Sequence, residues 1–477
     1  MSALPVAWPT HLPRRLLVTL RLGEMPEHVP SWRACQRHGV PFGEHLDGGP
    51  IDRLLAHFGG GMRLARVHSA RTPQREAPAR AGARRFDEIE QLSGVARVLR
   101  IELQQGDRLP ELMQALAQLP TVEHARPERL VDMSLDGSAT HPAPLPAALP
   151  QAALVDMQEA WAARDLIRLP EALAYAPGDP TVIMGLADTG VVMDHPALHR
   201  ALRPGFDTVD LQASTGGPEL VGDDRGADAD PQDEVGHGTG CAGIVCADSP
   251  DLPPGAAGRC QVLPARVLGA ALKGQRRVGI GSVANIDAGM KRLIDLGVKV
   301  INMSFGTASS QLSPDEPPPH SEVVRYALAR GVILVAASGN SGLTEPFYPA
   351  ALPGVIAVGA VDLQGRPARF STRGEHVALS APGQGIWTCG LNGWQRANGT
   401  SFAAPFVSAV ASLMVARAEA RACPLDPEMT RRLLVESSRP HAQAGESGMG
   451  RGVLDALAAL RALDDWLDRH DGLQADD

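Results

Sequence analysis

Two patterns of apolar positions divide the chain. In the larger part, near-continuous apolar runs at 181–187, 261–268, 298–305, 332–337 and 355–361 read as strands buried on both faces. Segments 282–296 and 321–330, between such runs, repeat their apolar residues at helical spacing. Buried strands alternating with helices predict an α/β fold whose parallel sheet is covered on both faces. The first 133 residues follow another rhythm: strand 15–22, helix 51–58, strands 62–68 and 96–103, helix 108–119, strand 122–131. That β-α-β-β-α-β order predicts a small ferredoxin-like α+β module, an antiparallel sheet with helices on one face. Residues 74–85, rich in Arg, Ala and Pro, read as a surface loop, and 136–152 (DGSATHPAPLPAALPQA) as an extended linker open to proteolysis. The expected division is therefore 1–133, a linker 134–154, a main domain 155–465 and an acidic tail 466–477.

Composition narrows the partners. The 477 residues exceed what one core usually holds, and 44% apolar with 21% charged residues describe an ordinary globular chain. A net charge of -9 argues against nucleic acid or an anionic membrane surface. No apolar run approaches the roughly 20 residues that span a bilayer. Residues 1–15 hold no apolar signal core, an expectation that suits the cytoplasm or a non-classical export route. Six scattered cysteines, none in a C-x-x-C pair, predict free thiols and not a disulfide framework.

Candidate chemistry gathers where the predicted strands end. In doubly covered parallel sheets the site lies outside the carboxyl ends of the strands, and Asp188, Ser304 and Asn340 all fall there. His237 stands in Gly236-His237-Gly238-Thr239-Gly240-Cys241-Ala242-Gly243, the glycine-lined start of a buried helix. Ser401 lies in Asn398-Gly399-Thr400-Ser401, feeding an apolar helix over 402–414, with Pro405 expected in its first turn. Singly, each has a plain structural reading: a turn aspartate, a core histidine, a capping serine. Jointly they supply what acyl transfer requires. A serine hydroxyl needs a base to take its proton, imidazole has the matching pKa, and a carboxylate orients the imidazole. The amide of Asn340 and the Ser401 backbone N–H offer donors for an oxyanion.

These motifs, Asp188-Thr-Gly, His237-Gly-Thr-Gly-Cys-Ala-Gly, Ser338-Gly-Asn340 and Gly399-Thr-Ser401-Phe-Ala-Ala-Pro405, resemble those of the subtilisin-like serine proteases, the subtilases. So does the run 348–382, and the resemblance covers about residues 155–462. It implies a subtilisin-like sheet, with Asp188 as acid, His237 as base, Asn340 as oxyanion donor and Ser401 as nucleophile. It implies a cis Tyr348-Pro349 bond, and a primary pocket with Phe347 at its floor, walled by Ala337-Ser338-Gly339 and by Ser304-Phe305-Gly306, along which a substrate adds a strand through main-chain hydrogen bonds. The N-terminal module, over 94–131 above all, resembles the family's propeptide, an inhibitor and folding chaperone. Three features depart from the family: Gly240 where many members have a second histidine, Cys241 as in the thiol-containing branch and open to mercurials, and the missing signal peptide.

The acidic loop 223–233 (DDRGADADPQD) has two readings that stay open. Asp224, Asp228 and Asp230 offer oxygens to a structural calcium ion, or the loop is simply solvated. No cofactor is otherwise required. The expected function is a serine endopeptidase acting on peptide or protein substrates, with its own N-terminal module as intramolecular inhibitor. A dedicated processing protease or peptide ligase, and a silent subtilase scaffold used for binding, are the alternatives.

Overall fold

The computed structural model describes residues 9–24, 27–71, 85–133, 155–211, 219–224, 228–273, 276–314, 316–442 and 447–474; the expected linker 134–154 and most of the surface loop 74–85 lie outside them. In the N-terminal module, strands β1 (His11–Leu20), β2 (Met62–Arg66), β3 (Val98–Leu103) and β4 (Val122–Asp132) pair antiparallel in the order β2–β3–β1–β4. Helices α1 (Trp32–His38), α2 (Pro50–Gly59), α3 (Glu88–Ser93) and α4 (Leu109–Ala117) complete it. Both α2 and α4 begin with a proline in the first two positions, where no intrahelical N–H is lost. Ile51, Leu55, Leu112 and Leu116 on these two helices bury against Leu16, Val18, Leu64, Leu99 and Ile101 of the strands. The expected β-α-β-β-α-β order is present. Short α1 and α3 are additions, each nucleated by a side-chain cap: Ser31 accepts from Ala34 N, and Asp87 with Glu90 forms a reciprocal capping box.

The main domain opens with α5 (Met157–Leu166) and α6 (Leu169–Tyr175), then β5 (Ile183–Asp188), β6 (Phe206–Asp207), β7 (Glu219–Val221) and α7 (His237–Cys246). Next come β8 (Gln261–Arg266), β9 (Gly269–Lys273), β10 (Arg276–Ser282), α8 (Val283–Asp295), β11 (Val300–Met303) and β12 (Thr307–Ala308). They are followed by α9 (Ser321–Ala329), β13 (Ile333–Ala337), β14 (Phe347–Tyr348), β15 (Ile356–Val361) and β16 (Val377–Pro382). A hairpin of β17 (Gln384–Cys389) and β18 (Trp394–Asn398) leads into α10 (Thr400–Glu419), α11 (Pro427–Glu436) and α12 (Ala456–Gln474). Seven strands form one parallel sheet in the order β16–β15–β13–β11–β5–β8–β6. One apolar cluster includes residues of α7, α10 and α12 and a second those of α8 and α9, so the expected helix-covered sheet is what forms. Helix α10 is long and apolar enough by composition to cross a bilayer, but it is buried in the protein. The expected tail at 466–477 needs correction: α12 continues to Gln474, and Trp466 and Leu467 are buried on the core, so the apolar face outlasts the acidic residues that suggested a tail.

The two domains share a sheet. Leu130, Val131 and Asp132 of β4 pair antiparallel with Ser282, Gly281 and Ile280 of β10, and β9 and β7 follow, giving β2–β3–β1–β4–β10–β9–β7. Val131 and Met133 then lie in the same apolar cluster as Ala187, Leu268 and Val283. Beside this seam, charges are buried. Asp210 of the main domain, 1% exposed, accepts from Trp32 Nε1 at 2.7 Å and from Gln36 at 3.3 Å, and lies 3.5 Å from Arg100. Arg100 also chelates Glu128 at 2.6 and 2.8 Å. Arg129 meets Glu316 at 2.6 Å, and Glu90 meets Lys291 at 2.7 Å. Such pairs contribute little net stability but are costly to break singly, since the remaining partner stays desolvated. Asp210→Ala should therefore destabilise the chain by about 3 kcal/mol and open the seam to limited proteolysis. A denaturation midpoint equal to wild type would show that Asp210 holds nothing there.

Candidate active site

Asp188 ends β5, and its neighbour in register is Arg266 at the end of β8, so the parallel sheet itself carries the carboxylate to its rim. Asp188 Oδ1 accepts from Thr189 N at 2.8 Å and lies 2.7 Å from His237 Nδ1. That contact assigns the proton to Nδ1 and leaves Nε2 as the basic nitrogen. His237 begins α7, brought close because Gly238 has no side chain: a Cβ there would stand 2.1 Å from the Gly190 carbonyl. Both Asp188 and His237 are buried.

Asp233, absent from the sequence-level site, organises this turn. Its Oδ1 accepts from Thr189 Oγ1, Val235 N and Gly236 N, and its Oδ2 from Thr239 N and Oγ1, all at 2.7–2.9 Å. Burial raises its pKa against the pull of these donors. Its sequence signal is an aspartate four residues before the histidine, just ahead of a helix start, where free N–H groups need an acceptor.

Ser401 is the second residue of α10, after Gly399 at φ 145°. Pro405 is not in the first turn as expected: it stands four residues beyond Ser401, so the Ser401 carbonyl lacks the helical N–H it would otherwise accept from. Ser304 Oγ fills that place at 2.8 Å, and Cys241 Sγ lies at 3.4 Å. Ser401 Oγ in turn donates to the Ser304 carbonyl at 3.2 Å. Ser408 Oγ donates to Asn302 Oδ1, and Asn302 Nδ2 to Ser304 Oγ, both at 2.9 Å, so a buried polar chain secures Ser304. Cys241 Sγ is also 3.9 Å from His237 Nδ1, which puts the thiol between serine and histidine, on the histidine's side of α7 as its spacing implied. Burial, and after it the charge of Asp188, push this thiol well above its ordinary pKa, so it stays protonated. Among the described residues His237 Nε2 makes no hydrogen bond.

Asn340 Oδ1 accepts from Thr400 N at 2.8 Å and Thr400 Oγ1 at 2.9 Å. A Cβ built on Gly399 would lie 3.5 Å from Asn340 Nδ2 and 3.7 Å from Ser401 N, so the two nitrogens lie beside the same glycine. Thr400 Oγ1 also accepts from Gly339 N at 3.2 Å, and Ser338 Oγ donates to the Thr372 carbonyl at 3.0 Å, fixing the stretch after Ala337. The Tyr348-Pro349 bond is cis. The Phe347 ring lies between the two expected walls: a Cβ on Gly306 would meet it at 2.4 Å and one on Gly339 at 2.9 Å. At Gly240 an added Cβ would stand 2.7 Å from Gln395 Nε2, which spans to the Gly236 and Cys389 carbonyls; that side chain fills the space.

Beside the acidic loop the chain supplies a buried cation. Arg266, 1% exposed, reaches Asp207 at 2.5 Å, Glu234 at 2.7 Å and the Asp223 carbonyl at 2.6 Å. Asp228 and Asp230 instead accept backbone N–H groups two residues on, at 2.7 and 3.1 Å. Among the described residues, the set that brings three ligand-type atoms within 4.8 Å is Asp188, His237 and Cys241, and Asp224, Asp228 and Asp230 form none. A guanidinium thus meets carboxylates on either side of the loop, at Asp207 and Glu234.

A sequence profile of the subtilase family (Peptidase_S8) matches residues 179–452. Thermitase of Thermoactinomyces vulgaris is 33% identical over 256 residues, 53% of this chain and 80% of that protein. A solved protease of Pseudoalteromonas arctica superposes with a TM-score of 0.54 at 25% identity, covering 64% of this chain and 98% of that one. The prenylagaramide maturation protease PagA superposes at 0.50 with 26% identity, covering 62% and 98%.

The Arg266 cation beside the loop gives a stability test. If it already supplies the countercharge there, EDTA or millimolar calcium should leave the melting temperature within about 1 °C. Arg266→Ala, which strands Asp207 beside Glu234, should cost about 3–5 kcal/mol. A calcium-dependent rise of several degrees in the wild type would refute the fixed-cation account.

Proposed function

The chain belongs to the subtilase family and is a serine endopeptidase, and we propose that it cuts peptide bonds through an acyl-enzyme formed on Ser401. The observation that carries this reading is the buried Asp188–His237 pair at 2.7 Å, with the Cys241 thiol spanning from His237 to Ser401. In this reading the Ser401 hydroxyl leaves the Ser304 carbonyl, turns to His237 Nε2 and gives up its proton as Oγ attacks the scissile carbonyl. Asp188 keeps the imidazolium oriented and compensates its charge. Asn340 Nδ2 and the Ser401 N–H receive the negative oxygen. His237 then passes the proton to the departing amine, and a water repeats the sequence to release the acid.

The N-terminal module serves in this reading as a bound inhibitor. What supports it is the seam: β4 occupies the β10 edge, and Met133 N donates to the Gly279 carbonyl at 2.8 Å. A Cβ on Gly279 would meet Met133 Sδ at 3.2 Å and Thr189 Cγ2 at 2.7 Å, so β4 arrives one residue from Asp188. A peptide strand added to that edge by main-chain hydrogen bonds would compete with it. The segment that follows Met133 is then the natural place for a cut. A second reading, a protease dedicated to maturing one peptide, is favoured by the likeness to PagA.

Two experiments decide these assignments. Ser401→Ala should lower turnover by about six orders of magnitude, the scale on which loss of a triad nucleophile acts. It should also abolish labelling by a fluorophosphonate and leave the chain uncut between Met133 and Met157; continued self-cleavage of the purified variant would overturn the nucleophile. Phe347, set between Gly306 and Gly339, should favour small or slim P1 residues over Phe and Tyr. Phe347→Gly should move kcat/KM toward aromatic P1 substrates by about 10- to 200-fold, the range a few methylenes command in a pocket. An unchanged P1 profile would mean that the ring lies outside the substrate's path.

A further inference from the structure

Phe305, the middle residue of the Ser304–Phe305–Gly306 edge, is buried, and the His320 imidazole meets its ring edge-on with centroids 5.6 Å apart at 63°. His320 is wholly buried and precedes α9 with φ 69°, a left-handed conformation that costs a residue with a side chain. Its Nδ1 lies 2.5 Å from Asp287 Oδ1, on α8. Its Nε2 makes no hydrogen bond among the described residues. Burial raises the Asp287 pKa, while His320 and then Arg126 of the N-terminal module oppose that rise. An imidazole–carboxylate pair buried at this depth contributes little net stability, because desolvation offsets the attraction. Packing stability alone would be better served by two apolar side chains.

We propose that Asp287 and His320 are positioning residues for the substrate edge. Asp287 fixes the imidazole, the imidazole fixes the Phe305 ring, and Phe305 sets the backbone that follows it. Ser304, on the other side, is held separately, its hydroxyl accepting from Asn302 and donating to the Ser401 carbonyl. The effect therefore falls on Gly306, against which the Phe347 ring lies. The pair thus acts on peptide binding through two buried helices, without a place in the proton transfers. This inference rests on the reading of Ser304–Gly306 as the strand along which a peptide pairs.

The test compares two substrates on the active enzyme: a tetrapeptide anilide, which needs the edge, and p-nitrophenyl acetate, which does not. His320→Gln and Asp287→Ala should lower kcat/KM for the anilide about 10- to 100-fold, mostly through KM, the scale on which displacements of about 1 Å act. Acetate hydrolysis should fall by about twofold or less. Asp287→Asn keeps an acceptor for Nδ1 and should recover most of the anilide rate, which guards against loss of fold as the explanation. Equal losses on both substrates, or an unchanged anilide KM, would overturn the proposal. The Phe347→Gly profile separates the two layers. If it is unshifted, the edge itself is wrongly placed; if it shifts while His320→Gln keeps its wild-type KM, only the positioning role falls.

Discussion

One missing hydrogen bond ties the site together. Pro405 has no N–H to give the Ser401 carbonyl, so that oxygen faces a buried region with its helical partner withheld. The groups that approach it come from two other elements: Ser304 from the segment after β11 and Cys241 from α7. The serine's backbone is thereby tied to the strand segment on one side and to the histidine's helix on the other. A regular helix would have satisfied the carbonyl internally and left those contacts without a target. The buried sequence Ser408–Asn302–Ser304 then extends the arrangement back into α10, so the same helix holds the carbonyl's partner as well as the carbonyl.

Glycines and fixed charges do the rest of the positioning. Gly238 lets α7 touch the turn after β5, and Asp233 collects five donors, among them the Thr239 N–H that the helix start would otherwise leave bare. Arg266 sets a cation beside the acidic loop, between Asp207 and Glu234. Asp233 and Arg266 are both buried and bonded to the chain's own atoms, which suits a site that must keep its geometry while a peptide comes and goes.

What could be read from the sequence follows how local each feature is. The expected strands 261–268, 332–337 and 355–361 overlie β8, β13 and β15, because a strand buried on both faces writes its apolar run directly into the chain. Asp188 closing β5, His237 opening α7 and Ser401 in the first turn of α10 lie where the apolar runs and glycine-lined turns put them. Asp233 was hidden inside a run of acidic residues with which its role has nothing in common. Arg266, His320 and Gln395 meet Asp207, Asp287 and Gly236, which lie 59, 33 and 159 residues away, and no periodicity marks that. The pairing of β4 with β10 left no trace either, since two strands far apart in sequence show nothing of their register. The apolar run begins at Phe402 but the helix begins at Thr400, so Pro405 lies inside it and not in its first turn.

The shared sheet also has a meaning in time. On the ribosome β4 is complete roughly 140 residues before β10 begins to emerge, a delay on the order of ten seconds at ordinary elongation rates. During that interval the N-terminal module presents an unpaired edge, the kind of strand that recruits wrong partners. Glu123, Arg126, Arg129 and Asp132 along β4 put charge on that edge while it waits. When residues 269–282 arrive, they meet a preformed template, so a long-range pairing that would be slow to find in a free chain is reduced to adding a hairpin to an existing sheet. The order in which the chain is made thus works in favour of its topology.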